Sequence, residues 1–182
     1  MPFSSRPYIE TSQVTQTALR SVCGFFATGV TVVTASFSGE LFGITANSFT
    51  SLSLEPPLVL FCVHIRSRFR AAITPGSSFT ANILAAGQAH ISALFSSGED
   101  RFLKVNSIPG LGGSPVLTEA LAYITSVVVR EVPGGDHVIV IGRVVDVGVL
   151  HRQGAPLVFF GGSMRQLAAP PASTEPLAEN RR

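Results

Sequence analysis

The chain has 182 residues, of which 13 are Lys or Arg and 11 Asp or Glu, so 13% are charged where an ordinary soluble domain has about 25%. Hydrophobic residues make up 46% and mean hydropathy is +0.40; that much apolar surface offsets chain entropy and excludes global disorder. The net charge of +2 has no basic run behind it, which sets nucleic-acid binding aside, and a membrane span is set aside because the most apolar stretch, 127–150, is broken by Arg130, Glu131, Pro133, Gly134, Gly135, Asp136 and Arg143.

Residues 1–10 read as an N-terminal arm without the apolar core of a secretory signal. Thr11 or Ser12 caps a first helix in which Ala18, Leu19, Val22, Phe25 and Phe26 recur at helical spacing, and Gly29 stops it. The β-branched run 31–37 reads as a strand, Ser38-Gly39-Glu40 as a turn, and 41–46 as its hairpin partner. A hydroxyl-rich polar segment follows, 47–57, closed by Pro56 and Pro57, which mark the start of the next strand. The continuous apolar run 58–63 reads as a strand buried on both faces. Ser67 caps a short helix over 67–73. A strand is expected over 79–84, then a helix over 88–96 with Ile91, Leu94 and Phe95 inward. Residues 108–115 form a Gly/Pro-rich loop. Two long strands, 122–131 and 137–147, are joined across Pro133-Gly134-Gly135-Asp136, and 157–160 is a last short strand. From Ala168 the chain is Pro-rich and polar, a tail over 168–182. The domain itself spans 11–167, mainly β with peripheral helices. Short strands with irregularly placed helices argue against βαβ winding and for a small antiparallel barrel.

Familiar catalytic signatures fail in turn. No P-loop and no Rossmann glycine fingerprint is present. Gly112-Gly113-Ser114-Pro115-Val116 departs from a nucleophile elbow at its last two positions. His64, His90, His137 and His151 show no metal-ligand spacing, and Glu99-Asp100 read as a solvated turn. Cys23 and Cys62, far apart and outside any CxxC, read as reduced thiols of a cytoplasmic protein. What remains is an uncharged polar corner, Thr45-Ala46-Asn47-Ser48-Phe49-Thr50-Ser51. Successive backbone N–H groups in a turn can hold an anion, and a hydroxyl-rich surface loop is the competing reading. A second candidate is Ser67-Arg68, a hydroxyl beside a guanidinium, which suits a phosphate.

At these residues the chain resembles the short flavin reductases, the FMN-binding split-barrel proteins that serve as reductase components of two-component flavin-dependent monooxygenases. The resemblance runs from Ala18 to Leu167. It is carried in order by Phe26-Ala27-Thr28-Gly29-Val30-Thr31-Val32-Val33-Thr34, Gly43-Ile44-Thr45-Ala46-Asn47-Ser48-Phe49-Thr50-Ser51, Leu52-Ser53-Leu54-Glu55-Pro56-Pro57-Leu58-Val59, Gly134-Gly135-Asp136-His137 and Pro156-Leu157-Val158-Phe159-Phe160. It implies an antiparallel split β-barrel, a homodimer, and an NAD(P)H:flavin oxidoreductase. Such an enzyme moves hydride from NADH or NADPH to FAD or FMN and supplies reduced flavin to a partner monooxygenase or halogenase. By the same resemblance, Thr45, Ala46, Asn47 and Ser48, with Thr50 and Ser51, line the flavin; Cys62 and Val63 face its ring through their backbone. Ser67 and Arg68 meet the phosphate, Asn82 and Phe102 lie near the flavin, and His137 seats the nicotinamide. No side chain is implied as nucleophile or acid–base group, since the cofactors carry the difficult chemistry. Two other readings stay open: a flavoprotein with tightly held flavin reducing another acceptor such as ferric iron, and a non-catalytic flavin-binding module. Gly161-Gly162-Ser163-Met164-Arg165 lacks the Tyr and extra Arg that the family often carries there, so no contact is carried over to that segment.

Overall fold

A computed structural model describes residues 14–97 and 101–167. In chain order the elements are α1 (Gln16–Cys23), β1 (Thr28–Gly29), β2 (Thr31–Phe37), β3 (Glu40–Ala46), β4 (Thr50–Leu54) and β5 (Pro57–His64). A 3-10 turn (Arg68–Ala72), β6 (Ser78–Ile83), α2 (Ala89–Ser97), β7 (Ser107–Pro109) and β8 (Pro115–Leu117) follow, then β9 (Ala122–Gly134), β10 (His137–Val149), β11 (Leu157–Phe160) and β12 (Ser163–Gln166). The chain is mainly β with few helices, and the strand pairs are antiparallel. The expected arm at 1–10, the tail at 168–182 and the caps Thr11 and Ser12 lie outside the described residues. The cap in the structure is Thr15, whose hydroxyl accepts from the Ala18 N–H at 3.1 Å.

Seven strands form the main sheet, in the order β3-β2-β6-β9-β10-β5-β4. Laid flat, its two edges would stand about 29 Å apart at the usual strand spacing. Yet the edge strands β3 and β4 are consecutive, joined only by Asn47, Ser48 and Phe49, a link that reaches about 14 Å at most. The sheet therefore curls until its edges approach, and the polar corner closes the curl. Inside it lies one core cluster, including Val33, Ala35, Phe61, Phe69, Phe79, Val128 and Val140. On the other side of β2 a second cluster joins Val30, Val32, Leu84, Ile91, Phe95, Leu117 and Leu157, with Leu94 packed against it.

The strand buried on both faces is β2, not β5. Every residue from Thr31 to Ala35 is buried, whereas β5 alternates, with Val59, Phe61 and Val63 inward and Leu60, Cys62 and His64 half-buried on the other face. The reason is position: β2 has a cluster on either side, and β5 lies next to the sheet edge. The expected polar loop at 47–57 is in part the strand β4, pairing with β5. The loop at 108–115 contains the short β7–β8 ladder.

Candidate functional site

The corner after β3 is pinned by its own hydroxyls. Thr45 Oγ1 donates to the Ser92 carbonyl of α2 at 2.6 Å, and the Ala46 carbonyl accepts from Thr31 Oγ1 at 2.8 Å. Ser48 Oγ accepts the Cys62 N–H at 3.0 Å and lies 3.4 Å from the Cys62 carbonyl oxygen, so it ties the corner to β5 across the gap between the sheet edges. Asn47 is exposed, as are Thr50 and Ser51, where the Thr50 hydroxyl donates to the Ser51 carbonyl at 3.3 Å.

Beyond β5 the chain turns through His64, Ile65, Arg66 and Ser67. The Ser67 N–H donates to the His64 carbonyl at 2.9 Å, and Ser67 Oγ accepts from the Phe69 N–H at 3.3 Å, capping the 3-10 turn as its sequence position predicts. Arg68 is exposed, and its guanidinium has no hydrogen-bond or ion-pair partner among the described residues. Ser67 and Arg68 open onto a cavity of about 590 Å³, whose walls include Phe42 and Ile44 of β3 together with Arg101 and Phe102. Arg101 Nη1 donates to the Gly43 carbonyl at 2.6 Å, and Phe102 stands edge-on to Phe95 with ring centroids 5.3 Å apart. A side chain at Gly43 would collide with the Phe95 ring, so glycine is what lets α2 close this wall.

Of the expected cofactor residues, then, Ser67, Arg68 and Phe102 line the cavity, and Thr45, Ala46, Asn47 and Ser48 continue the strand that forms its floor at Ile44. Cys62 joins them through Ser48. Val63 points into the core. Asn82 is brought to a different place. Its Nδ2 donates to the Val32 carbonyl at 3.1 Å and to Thr34 Oγ1 at 3.2 Å, and its Oδ1 accepts the Leu117 N–H at 2.8 Å. The side chain is fully buried and sews β8 to the sheet.

His137 begins β10 beside the loop Gly135-Asp136. Its Nδ1 lies 2.7 Å from Asp136 Oδ1, and this hydrogen bond holds the Asp136 carboxyl below its ordinary range. The Ile65 N–H donates to the Asp136 carbonyl at 3.0 Å, and Arg70 pairs with Glu131 of β9 at 2.7 Å. The turn after β5 and the β9–β10 hairpin are thus linked twice.

Sequence reasoning missed Arg101, Phe42, His64 and the Arg70–Glu131 pair. Phe42 was readable as an alternating strand position. The others depend on partners distant in sequence, which leave no local pattern. Among the described residues no group of three or more His, Cys, Asp or Glu could hold a metal ion, and both cysteines are free.

A guanidinium without a partner, a hydroxyl, a second arginine and aromatic walls around one cavity form a donor set for a ligand with both phosphate and planar ring. The curled antiparallel sheet with this cavity beside its edge strand β3 places the chain among mainly β folds. Residues 23–168 match the family model of the flavin reductase like domain, and the chain belongs to that family. It is 39% identical over 153 residues, 83% of this chain and 82% of the relative, to the reductase subunit HsaB of a flavin-dependent monooxygenase from Mycobacterium tuberculosis. It is 45% identical over 129 residues to a probable flavin reductase of Rhizobium meliloti; that match takes in 70% of this chain but 42% of the relative, so the chain spans less than half of that protein. Among solved structures, an NADH:FAD oxidoreductase of Streptomyces globisporus in complex with NAD and FAD fragments superposes with a TM-score of 0.81 at 38% identity, covering 87% of this chain and 95% of that one.

Proposed function

We propose that this chain is an NAD(P)H-dependent flavin reductase that passes hydride from NADH or NADPH to FAD or FMN and delivers the reduced flavin to a separate monooxygenase or halogenase. The observation that carries the reading is the cavity in which Ser67, Arg68 and Phe102 converge, set against the corner 45–48 on a fold of this family. The Mycobacterium tuberculosis and Streptomyces globisporus relatives support the partner oxygenase and the NADH and FAD pairing respectively.

Bound flavin supplies the hydride-accepting ring, so the protein needs neither nucleophile nor strong acid. Arg68 and the Ser67 hydroxyl hold the phosphate end, and Phe102 flanks the ring system. The corner offers backbone donors along the flavin edge, fixed in place by Ser48 on Cys62. Positioning the two rings at near-attack distance is then the main catalytic task. His137, held by Asp136, seats the nicotinamide.

The strand curl supports a split barrel. A homodimer is supported by α1, which buries none of its residues although Val22 is 70% exposed, and by Phe25 and Phe26 beyond it at 72% and 76%. The free thiols support the cytoplasm as its compartment. Anaerobic mixing with each nicotinamide and each flavin tests the function: the flavin absorbance bleaches, and turnover saturates in free flavin. Failure of both nicotinamides to bleach bound flavin overturns it. Arg68→Ala is expected to weaken flavin binding by about tenfold or more, the worth of a charge-assisted hydrogen bond. Unchanged affinity, read by fluorescence titration, removes the phosphate assignment.

A further inference from the structure

His64 ends β5 and His137 begins β10, and the register sets them directly opposite each other. Their rings stand edge to face with centroids 5.2 Å apart and an interplanar angle of 81°. Both are half-buried on the side of the sheet that also carries Cys62 and Ile139. The hydrogen bonds around them give the two rings opposite characters. His64 Nδ1 accepts the Arg66 N–H at 3.0 Å; that nitrogen must be bare, so in the neutral ring the proton sits on Nε2. His137 Nδ1 faces the Asp136 carboxylate at 2.7 Å; a carboxylate only accepts, so Nδ1 carries the proton and Nε2 of the neutral ring presents a lone pair. Neither Nε2 has a partner among the described residues. Side by side, then, stand one N–H donor and one nitrogen acceptor.

The geometry points to His64 as a second nicotinamide-binding residue, which with His137 forms a donor–acceptor clamp for the carboxamide of the reduced nicotinamide. This rests on the reading of His137 as the residue that seats the nicotinamide and extends it. A carboxamide offers the matching pair: its oxygen accepts from His64 Nε2–H, and its NH₂ group donates to His137 Nε2. The frame is rigid enough to hold both tautomers. Ile65 donates to the Asp136 carbonyl at 3.0 Å, fixing the turn after β5 to the hairpin loop, and the Arg66 N–H belongs to that same turn. Two hydrogen bonds to one planar group set its rotation as well as its position, which is what ring-on-ring hydride transfer asks of a binding site.

The two bonds are separable by substrate chemistry. The reduced 3-acetylpyridine analogue of NADH keeps the carbonyl oxygen and has a methyl group in place of the NH₂. Steady-state kinetics of the full chain with saturating FAD, on NADH and on this analogue, therefore tests each histidine alone. His64→Ala is expected to raise KM for both substrates by about three- to tenfold, as a neutral hydrogen bond requires, with KM for FAD unchanged. His137→Ala is expected to raise KM for NADH by a similar factor and to leave KM for the analogue within twofold. His64→Gln, which keeps a donor, restores part of the loss. If His64→Ala leaves KM for NADH within twofold while His137→Ala raises it, the clamp is overturned and His137 alone seats the nicotinamide. If neither substitution moves it, both assignments fall. If His64→Ala raises KM for FAD as much as for NADH, or His64→Gln gives no rescue, His64 serves the fold only and the clamp is overturned.

Discussion

The Asn82 amide is engaged at both ends, and all of its partners belong to the fold. Family resemblance had set this residue near the flavin, and the structure assigns it to the seam between β6, β2 and β8. Asn82→Ala leaves the Leu117 N–H without its acceptor in a dry interior, which costs about 1–3 kcal/mol of stability. Urea unfolding is expected to show that loss, with flavin affinity of the folded protein unchanged; weaker flavin binding at full stability would return Asn82 to the site. The contrast with Ser67 explains what a sequence can disclose at this scale. A capping serine acts on its own next turn, so its role is local and readable. The partners of Asn82 and Arg101 lie on distant strands, and nothing beside them in the chain announces the pairing.

Among elements, the β9–β10 hairpin bears most directly on the proposed nicotinamide site, because its tip holds Asp136 and His137 in a fixed relation. The hydrogen bond from His137 lowers the Asp136 carboxyl from its ordinary value. Since the folded-state value is the depressed one, this bond contributes fully above about pH 4, the ordinary aspartate range, and is lost as pH falls through the lowered value. A carboxyl NMR titration is expected to place the Asp136 midpoint below the usual range in the parent protein and closer to it in His137→Ala; equal midpoints would mean that the bond does not form in solution. The hairpin was legible because two glycines beside Asp136 mark a turn between two apolar runs. The same reasoning could have found β12: Gly161 and Gly162, both at positive φ, form the two-residue loop that returns β11. The strand β4 was missed because an edge strand rich in Ser and Thr reads as a loop; its pairing with β5, not its composition, makes it a strand.

At the scale of the whole molecule, the low charge first noted in the composition takes on a location. Leu19, Val22, Phe25, Phe26, Phe160 and Met164 are exposed on α1, the segment after it and the β11–β12 hairpin, and Phe25 already meets Phe160 edge to face at 6.2 Å. An isolated eight-residue helix is not stable in water, so this face calls for cover, which a second copy of the chain would provide. Sedimentation is expected to give a dimer at micromolar concentration, with Val22→Glu and Phe26→Glu together shifting it toward monomer; a monomeric parent chain would overturn the dimer. The architecture was legible as far as its class, since short strands and turn signals distinguish antiparallel from wound sheets. The strand order was not, because it depends on which distant runs pair. The curl of the sheet also has a temporal consequence. The β9–β10 hairpin is a local unit that can form early, whereas β5 meets β10 only by closing a long stretch of chain, a slow and non-local step. The alignment of His64 with His137 depends on that closure, so in refolding the proposed nicotinamide site is expected to form after the β9–β10 hairpin.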